Sequence, residues 1–232
     1  MRRTGKEGRD AMRIIGFGDV HMDTGMLERI PGLQEADYVL VSGDLTNFGG
    51  RSDARRVLDI LRRWNPQTYA LFGNLDRPEV AELLVQQDRH LHGCARILQG
   101  LGIVGLGGSN HTPFATPSEF AEEEIAAILD RGLTQLRGHR PFILVSHPPP
   151  HACRCDLLAS GAHVGSTAVR RFIEQWQPAV CLTGHIHEAR GIDNIGDCTI
   201  LNPGMLRHGA WVEICFADGH VSAALQTLSS AT

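Results

Sequence analysis

The chain has 232 residues, 42% of them apolar and 21% charged, enough for a substantial core in an ordinary globular protein. Lys and Arg number 22 against 26 Asp and Glu, a formal charge of −4, so no global positive field recruits a polynucleotide or an anionic membrane. No stretch reaches the roughly 18 apolar residues that cross a bilayer. The first eleven residues are charged and lack the apolar region of an export signal, which predicts a frayed extension over residues 1–11 and one domain over residues 12–232. A chain of this kind is expected in the cytoplasm with its six cysteines reduced and without structural disulfides.

Apolar runs at residues 12–17, 38–41, 68–72, 101–106, 141–145, 179–182, 198–201, 210–216 and 220–227 read as strands. Several are continuous, as expected where both faces are covered. The first run ends at Asp19-Val20-His21 and the second at Gly43-Asp44. Val57, Leu58, Leu61 and Trp64 then mark a helix. The third run leads into Gly73-Asn74-Leu75-Asp76; Asp76 reads equally as the N-cap of a helical stretch through Gln87 or as support for a metal ligand. After the fourth run, Gly107-Gly108-Ser109-Asn110-His111 is by default a glycine-rich turn, and in a functional reading it lines a pocket.

Thr116-Pro117 opens a candidate helix with Phe120, Ile125, Ile128 and Leu129 on its apolar side. Ser146-His147 closes the fifth run. Cys153 and Cys155 lack a partner pair at zinc-like spacing, so a third metal is not expected there. Ser166 is a natural N-cap for the helix marked by Val169, Phe172, Ile173 and Trp176. Gly184-His185-Ile186-His187 closes the sixth run, and from residue 198 only strand patterns follow. The pattern predicts parallel βα units finishing in an antiparallel meander, with two stacked sheets.

In open α/β sheets, sites lie beyond the carboxyl ends of the strands. Each of the five polar motifs follows its strand at once, so all five converge on one edge. A glycine precedes Asp19, Asp44, Asn74 and His185, which permits unusual backbone angles and close approach to an ion. The motifs supply two Asp, one Asn and four His, an oxygen and nitrogen set suited to a pair of divalent transition metals. Each motif alone is common, and a lone His is by default a satisfied polar group; the ordered set is specific.

On those residues the chain resembles the calcineurin-like metallophosphoesterase superfamily, whose signature runs D-x-H, G-D, G-N-H-D/E, H and G-H-x-H in this order. The match spans residues 19–187. The short length and the Gly107–Asn110 and His147–Pro150 segments resemble a compact prokaryotic phosphodiesterase-like branch. The resemblance implies an α/β fold, a four-layer α-β-β-α sandwich with two facing mixed β-sheets. It assigns Asp19, His21 and His187 to one metal, Asn74, His147 and His185 to the other, and Asp44 to a bridge between them. Mn²⁺ is the implied cofactor, with Fe, Zn or Ni left open by mixed N/O ligation. Two divalent ions, two aspartates and a bridging hydroxide leave about +1, a match for the single charge of a phosphodiester. The implied nucleophile is that hydroxide, attacking phosphorus in line, rather than a side chain.

Leu75 departs from the pattern, because the family has there a histidine that contacts phosphate and protonates the leaving group. A positioned general acid is worth roughly 10²–10⁴ in rate, so the expected substrates are small phosphoesters, diesters with acidic leaving groups above all. His163 is the candidate acid or phosphate contact, with His111 and His151 as alternatives; Asn74 and Asn110 are further substrate-binding candidates. Two rival readings remain: a nuclease of the same superfamily, which would want a basic groove, and a non-catalytic interaction scaffold, which would normally lose ligands that this chain retains. Oligomeric state is not legible in the sequence.

Overall fold

The computed structural model describes residues 11–228; the expected extension lies outside the described residues except for Ala11. Five strands form the first sheet: β1 Met12–Phe17, β2 Tyr38–Val41, β3 Thr68–Ala70, β12 Ala210–Ala217 and β13 His220–Thr227. Their order is β13-β12-β1-β2-β3. β1, β2 and β3 run parallel, while β12 pairs antiparallel with β1 and with β13. Six strands form the second sheet: β4 Ala95–Leu98, β5 Leu101–Leu106, β8 Phe142–Ser146, β9 Val180–Leu182, β10 Gly191–Ile195 and β11 Cys198–Asn202. Their order is β10-β11-β9-β8-β5-β4, with a parallel centre and an antiparallel strand at each edge. β6 (Ser109–Asn110) and β7 (Glu119–Phe120) make a separate short pair.

Alternation along β1 divides the core. Ile15 and Phe17 face outward against Leu58 and Leu61 of α1 (Arg51–Trp64) and Leu83 of α2 (Pro78–Gln86). Ile14 faces inward, where Leu40 and Leu71 meet Ile103, Ile143, Val145 and Leu182 of the other sheet. On the far side, Val104, Leu144 and Cys181 pack on Ile125 and Leu129 of α3 (Glu122–Gln135) and on Val169, Phe172 and Ile173 of α4 (Thr167–Trp176). Each large side chain buried in these three layers contributes about 1.5–3 kcal/mol of transfer free energy. The result is the four-layer α-β-β-α sandwich.

Three local expectations are corrected. The chain does not finish in one meander: β11 pairs antiparallel with β10 and parallel with β9 in the six-stranded sheet, whereas β12 and β13 form a hairpin in the other sheet. The third helix begins at Glu122 rather than Thr116, because residues 112–119 fold around the Glu119 carboxylate instead. Asp76 is not an N-cap, since Arg77 holds that position in α2. Ser166 does cap α4, accepting from Val169 N at 3.2 Å. All six cysteines are free, with Cys153, Cys155, Cys181 and Cys198 packed in the core beneath α3 and α4.

Candidate metal centre

β1, β2 and β3 are parallel in one sheet and β8 and β9 in the other. Their carboxyl ends deliver Asp19 and His21, Asp44, Asn74, His147, and His185 and His187 to a common edge. Asp19, His21, Asp44 and His185 have φ between 47° and 68°, the left-handed region that costs a non-glycine residue free energy and that clusters at functional sites. The local chain supports the strain by ladder-like bonds between the loops, Asp19 N to Gly43 O at 3.0 Å and His21 N to Asp44 O at 2.9 Å.

Donor atoms of Asp19, His21, Asp44 and His187 all lie within 4.8 Å of one another. His187 Nε2 is 3.0 Å from Asp19 Oδ1 and 3.1 Å from His21 Nε2. His21 is oriented from behind: its Nδ1 bonds Asn47 Oδ1 at 2.7 Å, and Asn47 Nδ2 bonds back to His21 O at 3.2 Å. That leaves Nε2 with its lone pair aimed at the cluster. Protons can satisfy such convergent lone pairs only pair by pair, whereas one cation satisfies all of them. The donor set fits a divalent metal ion.

A second group adjoins the first through Asp44. Asp44 Oδ2 lies 3.8 Å from His21 Nε2 and 3.6 Å from His147 Nε2, so one carboxylate oxygen faces both groups. His147 Nε2 is 3.1 Å from Asn74 Oδ1, and its Nδ1 donates to Ser42 O at 3.1 Å. Asn74 is turned by its Nδ2, which donates to Thr116 Oγ1 at 2.9 Å. The His185 ring stands 5.2 Å from that of His147, and the His185 backbone N donates to Asp19 Oδ1. All seven sequence-predicted ligands therefore meet at this edge.

Burial and neighbouring charges displace the titration of the two histidines of this group in opposite directions. Burial works against protonation of His147, yet the Asp44, Asp19 and Asp76 carboxylates push it up to about 9. Burial and the His147 charge push His185 down to about 4. Burial alone would raise Asp44, but His147, His21 and the Leu75 N–H hold it below its usual range. Asp76 is pushed up to about 7, by burial first and the Asp44 charge second. It accepts from Leu45 N, Thr46 N, Thr46 Oγ1 and Gly73 N at 2.7–3.0 Å, and so ties the Asp44 loop to the Asn74 loop. Two glycines are required by close approach. A Cβ on Gly73 would overlap the Asp44 carboxylate, and one on Gly184 would overlap Asp19 Oδ2.

A cleft of ≈ 640 Å³ opens on the centre, with Asp44, Asn74, His185 and His187 at its floor. Asn110, His111 and His163 line it, whereas His151 does not. His163 Nδ1 bonds Asp156 Oδ1 at 2.6 Å. Asp156 is fully buried in a 3-10 turn, Arg154–Asp156, and also accepts from Ala152, Cys153 and Gly165 N–H groups. Burial opposes its charge, but the His163 bond and those N–H groups hold it below the usual carboxylate range. Asn110 donates to Val164 O at 3.1 Å, bracing the same wall. Sequence reasoning missed Asp156, Asn47 and the aromatic lining residues Phe48 and Phe114. None sits in a periodic pattern, and nothing in the chain marks Asp156 as the partner of a histidine seven residues on.

Two stacked sheets with a buried cluster of metal-ligating side chains at their shared carboxyl edge define a metal-centre α/β sandwich. The model of the calcineurin-like phosphoesterase family matches residues 12–189. The chain belongs to that family. It is 34% identical over 200 residues to uncharacterized protein MJ1162 of Methanocaldococcus jannaschii, covering 83% of this chain and 88% of the relative. The crystal structure of TT1561 of Thermus thermophilus superposes with a TM-score of 0.68 at 19% identity, over 92% of this chain and 98% of that one. Phosphopantetheinyl hydrolase of Mycobacterium tuberculosis superposes with a TM-score of 0.56 at 19% identity, over 84% and 90% of the two chains. At these identities the structural likeness is one of fold.

Proposed function

We propose that residues 12–232 form one domain, a phosphoric ester hydrolase with a dinuclear centre that prefers diesters. Asp19, His21 and His187 would hold one divalent cation, Asn74, His147 and His185 the other, and Asp44 both, with Mn²⁺ the leading choice of metal. The single observation that carries this reading is the position of Asp44 Oδ2, within 3.8 Å of His21 Nε2 and 3.6 Å of His147 Nε2. When bound, such a cation pair supplies Lewis acidity toward phosphoryl oxygens and acidifies water at neutral pH.

The chain's own residues do the rest. Asn47 Oδ1 and Ser42 O fix the ligating tautomers of His21 and His147. Leu75, a cleft-lining side chain, cannot donate a proton, and His163 takes that part. Asp156 holds His163 through Nδ1, which leaves Nε2 to give a proton to the departing oxygen. Asn110, beside His163, is a substrate contact. The nuclease alternative loses ground because, among the described residues, no Lys or Arg lines the cleft.

Metal analysis and turnover test the reading. The chain is stripped, reloaded with Mn²⁺ and assayed on bis(p-nitrophenyl) phosphate and on phosphoserine. Two metal equivalents and faster diester turnover are expected, both reduced in Asp44→Ala. Absence of turnover on any phosphoester refutes the hydrolase, and faster phosphoserine hydrolysis refutes the diester preference.

A further inference from the structure

The cleft has two unlike halves. Its floor carries the metal-ligating side chains, while its walls carry Phe48, Leu75, Pro113, Phe114, Leu158 and Ile186. Phe114 is 81% exposed and Phe48 is 53% exposed. Large aromatic rings left in water at the mouth of a polar site are costly unless something covers them, and such patches mark binding surfaces.

The Phe114 loop is also pre-shaped. Thr112 and Thr116 each direct a backbone N–H and a hydroxyl at the Glu119 carboxylate. Thr116 Oγ1 in turn accepts from Asn74, and Ser118 N donates to Asn74 O at 3.1 Å. The loop that presents Phe114 is therefore bonded to a candidate metal ligand, so the apolar wall and the reacting centre keep a fixed relation. Among the described residues the lining holds no Lys or Arg, so the walls offer no guanidinium or ammonium to a polyphosphate tail or a second phosphate.

We infer that the cleft takes a soluble phosphodiester carrying an apolar alkyl or aryl group, seated between Phe48, Phe114 and Leu158 while its phosphate lies at the metal-ligating floor. The inference rests on the hydrolase reading for the position of the phosphate. A concave pocket of ≈ 640 Å³ is the size that encloses a small molecule.

A substrate series with one leaving group reads the apolar subsite. Methyl, butyl and phenyl p-nitrophenyl phosphates are compared on the Mn²⁺-loaded chain. Each buried methylene is worth about fourfold, so kcat/KM is expected to rise at least about tenfold from methyl to butyl. Phe114→Ser and Phe48→Ser should compress that ratio toward unity. Calorimetric binding of dimethyl and dibutyl phosphate measures the same preference independently of turnover, and the dibutyl ester should bind about tenfold or more tightly. Turnover without chain-length dependence overturns the inference and leaves the hydrolase intact. Absence of all turnover overturns the hydrolase, while the calorimetric ratio still decides the inference. Equal affinities, a ratio untouched by both serine variants, or cleavage confined to phosphatidylcholine in vesicles would each overturn it.

Discussion

Asp156→Asn separates positioning of His163 from mere packing. The carboxylate accepts four bonds, Cys153 N and His163 Nδ1 on Oδ1, Ala152 N and Gly165 N on Oδ2. An asparagine must turn its amine toward one of those pairs. Facing Ala152 and Gly165, it strands two backbone donors, at about 1–3 kcal/mol each. Facing Cys153 and His163, it strands only one, because His163 can change tautomer and accept through Nδ1. The second arrangement wins, so the variant should lose about 1–3 kcal/mol in urea unfolding. It also removes the carboxylate that anchors His163 through Nδ1. Loss of a working general acid costs roughly 10²–10⁴, and most where the leaving oxygen is basic. The assay is kcat/KM for p-nitrophenyl against alkyl-leaving diesters. The alkyl rate should fall by about 10² or more while the nitrophenyl rate changes little. His163→Gln should do the same, and the double variant should add almost nothing further. An equal fall on both esters, or none on the alkyl ester, refutes the assignment.

Gly184→Ala should weaken Mn²⁺ binding at least about tenfold, about 1.4 kcal/mol, because its Cβ displaces the Asp19 carboxylate; calorimetric titration that finds unaltered affinity refutes this. Glu119 is held at about 2, since hydrogen bonds from Thr112 and Thr116 outweigh the burial that opposes its charge. Its unfolded-state value is about 4.3, so its stabilisation is complete above that pH and disappears as pH falls through about 2. Glu119→Gln should therefore flatten the decline of the urea midpoint between those values, and identical slopes would contradict it. Chelation should lower the melting temperature relative to Mn²⁺ at 100 times its Kd by about 5–11 °C for each ion held, from about 2.7 kcal/mol per bound ion and the usual slope for this length. Coincident calorimetric scans would show that the folded chain holds no ion.

The strands most legible in the sequence are those covered on both faces, while the edge strand β13 was legible because Val221, Ala223 and Leu225, which pack on the core, alternate with Ser222, Ala224 and Gln226. β1, β2, β5 and β8 are continuous apolar runs, and the five ligand motifs stand out because they interrupt such runs at their carboxyl ends. β4 and β10 escaped notice because edge strands keep polar and exposed residues, Arg96 and Ile97 in one, Asp193 and Asn194 in the other. Thr116-Pro117 imitated a helix start, but the Thr116 hydroxyl and N–H are committed to Glu119. Local propensity lost there to a side-chain acceptor three residues on. The metal-ligating half of the site is thus written in strand ends. The apolar half depends on Phe48, Phe114 and Leu158, carried by loops whose convergence only the fold reveals.

Asp19, Asp44 and Asn74 extend from the five-stranded sheet, whereas His147, His185 and His187 extend from the six-stranded one. On the proposed reading, ions gripped by both sets would fasten the two leaves of a book along one margin. Slackening the spine of that book, around Ile103 and Ile143, should therefore loosen ion retention without altering any ligand. Mechanical cohesion and chemical competence then share a single clasp.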